Sequence, residues 1–219
     1  RYVCLNHPRK VKRARWASWM EILSSTTGST LHILARHHQT EGHLRRQARA
    51  FSVDPARIIA EPVLPKADHV ARFANASLFV DTFPYSAHTT CTEALYSGLP
   101  VLTRPGQTFA SRVAASLITS LGLGGLLIAV TEPDYVRLAV LLGSKPTAVR
   151  SSRAAVERQV RHSDLFAPRK WARAFSALLK SSWEARVLLG EEGGKSRRKM
   201  GGVMVAREGG GSLVRDGGA

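Results

Sequence analysis

Six short runs dominated by Val, Ile, Leu and other apolar residues constrain this chain most: "YVCL", "TLHILA", "RIIAEPV", "SLFVD", "PVLT" and "LLIA". Each is too continuous for a half-exposed strand and reads as a strand buried on both faces, the pattern of a parallel sheet. Between them the apolar residues recur at helical spacing: Trp16, Trp19, Met20 and Leu23; Leu44, Ala48 and Phe51; His69 to Phe73; Leu95 within Thr90 to Ser97; Val113, Leu117 and Leu121. Alternation of strand and helix predicts a Rossmann-like open α/β sheet with flanking helices, not a bundle or a sandwich.

After about Thr131 the strand signals stop. Three helical stretches follow, Asp134 to Leu142, Ala148 to Arg161 and Pro168 to roughly Val187, and they are expected to form a helical cap. From Leu188 the chain is glycine-rich with few large apolar residues, a composition that does not offset the entropy of ordering. The expected division is therefore a folded lobe over 1–187 and a disordered tail over 188–219. No repeat of solenoid length is visible.

With 219 residues and 44% hydrophobic content the chain can bury a substantial core. Its formal charge of +16 would suit nucleic acid, an acidic membrane surface or a phosphorylated ligand, and charge alone does not choose among them. The densest run, "RKVKRAR" from Arg9 to Arg15, reads as a solvated helix start, and no aromatic-interleaved platform accompanies it. A basic nucleic-acid-binding module thus ranks as an alternative. Two cysteines, Cys4 and Cys91, supply neither a metal cluster nor a disulfide framework and point to a reducing compartment, cytoplasmic or nuclear. No run reaches the roughly 20 apolar residues of a membrane span, and no secretory leader is expected. His37, His38 and His43 have no carboxylate or cysteine at ligand spacing, so no metal is expected.

Ligands of open α/β sheets bind beyond the carboxyl ends of the strands. "DTFPYSAHTTCTEALYSGLP", Asp81 to Pro100, is such a strand-to-helix turn. If a helix starts near Thr90, its first N–H groups and the positive end of its dipole offer a place for a phosphate, with His88, Thr89 and Thr90 as further donors. Thr90-Cys91-Thr92-Glu93 also fits a capping box, in which Thr90 and Glu93 satisfy the helix end themselves. Two further loops bring matching groups: "NHPRK", with Lys10, and "EPVLPKADH", with Lys66 and His69. Lysine serves as a point charge for phosphate. The bland alternatives, polar first turns and a solvated basic helix start, stay open for these residues.

The ordered motifs "PVLPKADH", "HTT" and "PGQTFASRVAAS" resemble the second, nucleotide-binding half of the catalytic region of glycosyltransferase family 41, the protein O-linked N-acetylglucosamine transferases and their relatives. The resemblance runs from about Tyr2 to Val187. It implies the C-terminal lobe of a glycosyltransferase B fold and an inverting transfer of N-acetylglucosamine from UDP-N-acetylglucosamine to serine or threonine of proteins, with no metal or other cofactor. Carried over by position, it implies that Lys10 meets the diphosphate and stabilises the departing UDP, that His88, Thr89 and Thr90 hold the diphosphate, and that Lys66 and Glu93 contact the ribose. Leu64, His69 and Arg72 would lie near the uracil, and His7 stands where the animal enzymes usually carry glutamine. Glu93 replaces a shorter aspartate. "DTFPY" is closer to the protein O-fucosyltransferase branch and "PGQTFASRV" to the N-acetylglucosamine branch, so fucose transfer is an alternative. The family's first lobe and tetratricopeptide repeats, which serve the acceptor side, are not seen in the sequence and are implied partners.

Overall fold

The computed structural model describes residues 1–35 and 37–191, and of His38 and residues 188–191 the backbone only. It divides into two compact units. The first, residues 1–166, runs β1 (Tyr2–Cys4), α1 (Arg13–Ser24), β2 (Leu31–Leu34), α2 (His38–Ala50), β3 (Ile58–Glu61), α3 (Lys66–Ala71), β4 (Leu78–Val80), α4 (Thr89–Tyr96), β5 (Val101–Leu102), α5 (Phe109–Ser120), α6 (Gly124–Leu127), α7 (Glu132–Ser144) and α8 (Pro146–His162). The second begins at Ala167, and its described part is the helix α9 (Pro168–Glu191). That helix runs through 188–191, where the glycine-rich tail was expected to begin; the rest of the expected tail, from residue 192, lies outside the described residues.

All five strands are parallel, in the order β3-β2-β1-β4-β5. Every residue of β1 and β4 is buried, as continuous apolar runs at the centre of a doubly covered sheet require. The edge strand β3 buries only Ile58 and ends on the acidic Glu61. The sixth run, "LLIA", does not form the expected strand. It begins in the short helix α6, and Ile128 makes a single parallel bridge to Thr103 at the sheet edge. A four-residue apolar run has no period that separates a strand from a buried helical turn, and here Leu127 is buried in the helical form.

Helix α1 buries Trp16, Trp19, Met20 and Leu23, the stripe that its spacing predicts. Each such side chain contributes on the order of 1.5–3 kcal/mol through burial. Against it lies α7, which also packs on β4 and β5, while α8 packs on α4 and α7. These two helices, expected from the sequence as part of a cap, belong to the same unit as the sheet, and their Tyr135 and Val156 sit in the core that the strands share. A buried relay ties the layers, with Trp19 Nε1 donating to Tyr135 Oη at 3.2 Å and Tyr135 Oη donating to the Asp81 carbonyl at 3.0 Å. Arg15 departs from the solvated reading of the basic run. It is buried, pairs with Glu132 at 2.8 Å and lies 3.8 Å from the Tyr135 ring centroid.

Candidate functional site

Strand order reverses between β1 and β4, and the crevice at such a switch point is where doubly wound sheets bind ligands. The loop after β1 carries Asn6, His7 and Lys10; the loop after β4 carries Asp81, Tyr85 and His88. Two rungs hold these loops together. Asn6 Nδ2 donates to Asp81 Oδ1 at 3.1 Å and to Thr82 Oγ1 at 2.8 Å, and Lys10 Nζ donates to the Ser86 carbonyl at 2.9 Å.

Asp81 anchors the whole turn. Its Oδ1 also accepts from the N–H groups of Thr82 and Ala87, at 2.7 and 2.8 Å, and its Oδ2 from the Thr103 hydroxyl at 2.7 Å. Complete burial pushes the carboxyl pKa above its ordinary value, while these donors and Arg15 pull it back. The loop is thereby fixed from three strands: β1, β4 and β5.

On that frame Lys10 and His88 meet through Tyr85. The Lys10 ammonium lies 4.0 Å from the Tyr85 ring centroid, and the His88 imidazole stacks on the same residue at 4.8 Å and 23°. Burial lowers the pKa of Lys10, opposed by the charge of Asp81. His88 is held on its far atom as well: Nε2 stands 3.2 Å from the Ala110 carbonyl, which can only accept, so Nε2 carries the hydrogen.

Helix α4 begins at Thr89, with His88 in the N-cap position and no side chain capping it. The capping-box alternative is therefore not realised. Glu93 lies in the second turn, too far along the helix to serve the first N–H groups, and it turns to α3 instead. The first-turn N–H groups, among them those of Thr89 and Thr90, have no side-chain acceptor and carry the positive end of the helix dipole.

Lys66, His69, Arg72 and Glu93 converge in a second cluster. Lys66 Nζ pairs with Glu93 Oε1, and His69 Nε2 lies 3.1 Å from Glu93 Oε2. Arg72 contacts His69 Nδ1 at 2.6 Å and donates to the Pro62 carbonyl at 2.9 Å. Burial, followed by the charge of Arg72, lowers the pKa of His69. The ring also stands edge-on to buried Phe73. Leu64 lies half-buried in the preceding loop, between β3 and α3. His7 is exposed, and its Nδ1 accepts the Arg9 N–H at 3.2 Å, closing the turn that presents Lys10.

The sequence reading brought out Lys10, Lys66, His69, His88 and Glu93 and missed Asn6, Asp81 and Tyr85 as parts of the same construction. Its one available signal was placement, since Asn6 and Asp81 are the first polar residues after the apolar runs "YVCL" and "SLFV". Among the described residues no group of three His, Cys, Asp or Glu side chains is arranged to hold a metal ion.

Residues 2–175 match the family model described as Glycosyl transferase family 41. A Caenorhabditis elegans UDP-N-acetylglucosamine--peptide N-acetylglucosaminyltransferase is 32% identical over 179 residues, which is 82% of this chain and 16% of that protein. The Arabidopsis thaliana protein named probable UDP-N-acetylglucosamine--peptide N-acetylglucosaminyltransferase SEC is 31% identical over 76% of this chain and 17% of its own length. The structure of a Thermobaculum terrenum O-GlcNAc transferase point mutant superposes with a TM-score of 0.70 at 27% identity, over 74% of this chain and 31% of that one. The chain thus spans about one-sixth of the length of these two relatives.

Proposed function

This chain belongs to glycosyltransferase family 41, and on that premise we propose that the crevice between β1 and β4 holds the UDP portion of UDP-N-acetylglucosamine for transfer to serine or threonine of proteins. One observation carries the reading: Lys10 and His88, from the two loops at the switch point, share Tyr85 beside the uncapped start of α4. A lysine and unpaired helix N–H groups are donors that a diphosphate takes, with His88 beside them at the N-cap position. Thr89 and Thr90 add hydroxyls, Lys66 and Glu93 serve the ribose, and Leu64, His69 and Arg72 border the base, with His7 at the rim.

In this assignment the acceptor hydroxyl attacks the anomeric carbon, the bond from that carbon to the diphosphate oxygen breaks, UDP leaves with the electron pair, and the hydroxyl proton passes to a base that we assign to the family's first lobe. Lys10 and the α4 dipole lower the barrier by stabilising the charge that grows on the leaving group. The acceptor must still be positioned, and we assign that task to a second lobe and to tetratricopeptide repeats. This lobe is the nucleotide-holding half of the enzyme.

Calorimetric titration with UDP tests the assignment. Saturable binding is expected, weakened by about one to two orders of magnitude in Lys10→Ala and in His88→Ala, the scale of lost charge-assisted contacts. Tight binding indifferent to both substitutions overturns it. Competition by GDP-fucose in place of UDP-N-acetylglucosamine would move the donor to the fucose branch. Steeply salt-dependent RNA affinity without UDP binding would move the reading to the nucleic-acid module.

A further inference from the structure

We infer that Glu61 is a positioning residue of this site: it holds Arg72 where the guanidinium fixes His69 as the neutral Nε2–H tautomer. The inference rests on the nucleotide reading for its functional consequence, while its geometry stands by itself.

Glu61 closes the edge strand β3, at the start of the loop that leads to α3. Its Oε1 takes Arg1 at 2.9 Å and His32 Nδ1 at 2.6 Å, and its Oε2 faces Arg72 NH1 at 3.5 Å. Arg72 in turn reaches His69 Nδ1 at 2.6 Å through its other terminal nitrogen. A guanidinium has only donors, so Nδ1 must accept. The remaining ring hydrogen then sits on Nε2, directed at Glu93 Oε2, 3.1 Å away. Glu93 is the carboxylate that Lys66 also holds. Two carboxylates, one on a strand and one on a helix, therefore bracket an arginine–histidine pair.

The dependence on Glu61 follows from burial. The Arg72 side chain is 9% exposed and its Nε has no hydrogen-bond partner. A buried guanidinium without a counter-charge is strongly disfavoured, and its long side chain escapes by swinging toward water. Removing the Glu61 charge thus releases Arg72, and with it the one donor that forbids a hydrogen on His69 Nδ1. Glu93 is then left alone to hold the Nε2–H form, so the Nδ1–H tautomer becomes accessible as a minor form and the Nδ1 edge of the ring is unanchored. The groups that face His69 are Arg72, Glu93, Lys66 and the Phe73 ring; Arg72 forbids a hydrogen on Nδ1, and the Glu93 carboxylate, which only accepts, favours one on Nε2.

Imidazole nitrogen NMR on the full 219-residue chain reads the tautomer directly, with the His69 signal assigned by its loss in His69→Gln. In the unsubstituted protein His69 is expected as Nε2–H with an unprotonated Nδ1; the opposite tautomer, or an even mixture, overturns the inference without any variant. In Glu61→Gln a detectable Nδ1–H fraction is expected beside the Nε2–H form that Glu93 still favours, together with UDP affinity lower by about tenfold, the effect of one misplaced charge-assisted contact. Glu61→Asp, which keeps the charge on a shorter arm, is expected to fall between the two and serves where the glutamine variant does not fold. An unchanged tautomer in the folded variant overturns the role. Because the tautomer is read without ligand, absence of UDP binding by the unsubstituted protein would overturn the nucleotide reading alone.

Discussion

Lys10 and Tyr85 form the contact on which the crevice turns: the ammonium stands 4.0 Å from the ring centroid while donating to the carbonyl of the next residue, Ser86, at 2.9 Å. The ring and the carbonyl together hold the lysine beside the start of α4. Tyr85 remains 43% exposed, so its ring is open to a ligand as well as to Lys10 and His88.

That arrangement assigns Tyr85 a positioning role read by two substitutions. Tyr85→Phe keeps the aromatic face and is expected to leave UDP affinity within about twofold, whereas Tyr85→Ala is expected to lose roughly five- to tenfold, the range of a partly exposed cation–π contact plus lost stacking. Titration calorimetry at constant salt decides it, and equal losses in both variants would show that the hydroxyl, not the ring, matters.

Asp81 should matter for stability more than any residue that touches ligand. Substitution by Asn places an amide NH2 where a fully buried carboxylate accepts four hydrogen bonds, from Asn6, Thr82, Ala87 and Thr103. If the amide oxygen keeps the three donors on Oδ1, the NH2 faces the Thr103 hydroxyl, which must turn to accept and loses its own buried acceptor, while every bond loses its charge assistance, at an expected cost of about 1–3 kcal/mol. Urea unfolding followed by circular dichroism measures this, and a midpoint unchanged from the unsubstituted protein would contradict the anchor role.

Gly143 in α7 leaves space that the Tyr2 ring occupies. A Cβ built there would stand 2.2 to 2.5 Å from three atoms of that side chain, whose hydroxyl also donates to the Ala139 carbonyl at 3.1 Å. Tyr2 is buried in β1 and cannot withdraw without vacating the core. Gly143→Ala should therefore destabilise by about 1–3 kcal/mol through overpacking, against the usual gain of alanine in a helix. Thermal unfolding of this variant gives the sign directly.

Stability should decline in mild acid, and two histidines give the sign. Burial lowers the pKa of both His32 and His69 in the folded chain. The unfolded chain then binds more protons as pH falls, so the stability these groups contribute is fully present above their ordinary value of about 6.5 and is lost as pH drops through their lower folded values. Unfolding midpoints recorded from pH 7.5 downward are expected to fall. The decline should be shallower in His32→Gln, and an identical slope would exclude His32 as a contributor.

Much of this was legible beforehand for a local reason. Continuous apolar runs separated by helical spacing can be satisfied only in a covered parallel sheet, and five of the six runs became its strands. The residues singled out on three loops do lie at the carboxyl ends of β1, β3 and β4. The sixth run, at Leu126 to Ala129, had no length or period to decide between helix and strand. Neighbouring packing around Leu127 made the decision.

Glu93 shows where the sequence stops. Its spacing from Thr90 permits a capping box, a choice that depends only on nearby backbone, yet α3 delivers Lys66 and His69 to the same carboxylate and the N-cap falls two residues earlier, at His88, with no side-chain cap. The same holds for Arg15, which a basic run describes as solvated and which Glu132, over a hundred positions later, draws into the interior. The sequence alone determined the layered α/β sheet, the family and the loops that bear charge, because those follow from local pattern. Only the tertiary structure decided which charges neutralise one another and which donors stay unpaired, because partners distant in the chain compete for each carboxylate and burial raises the cost of leaving one unmatched.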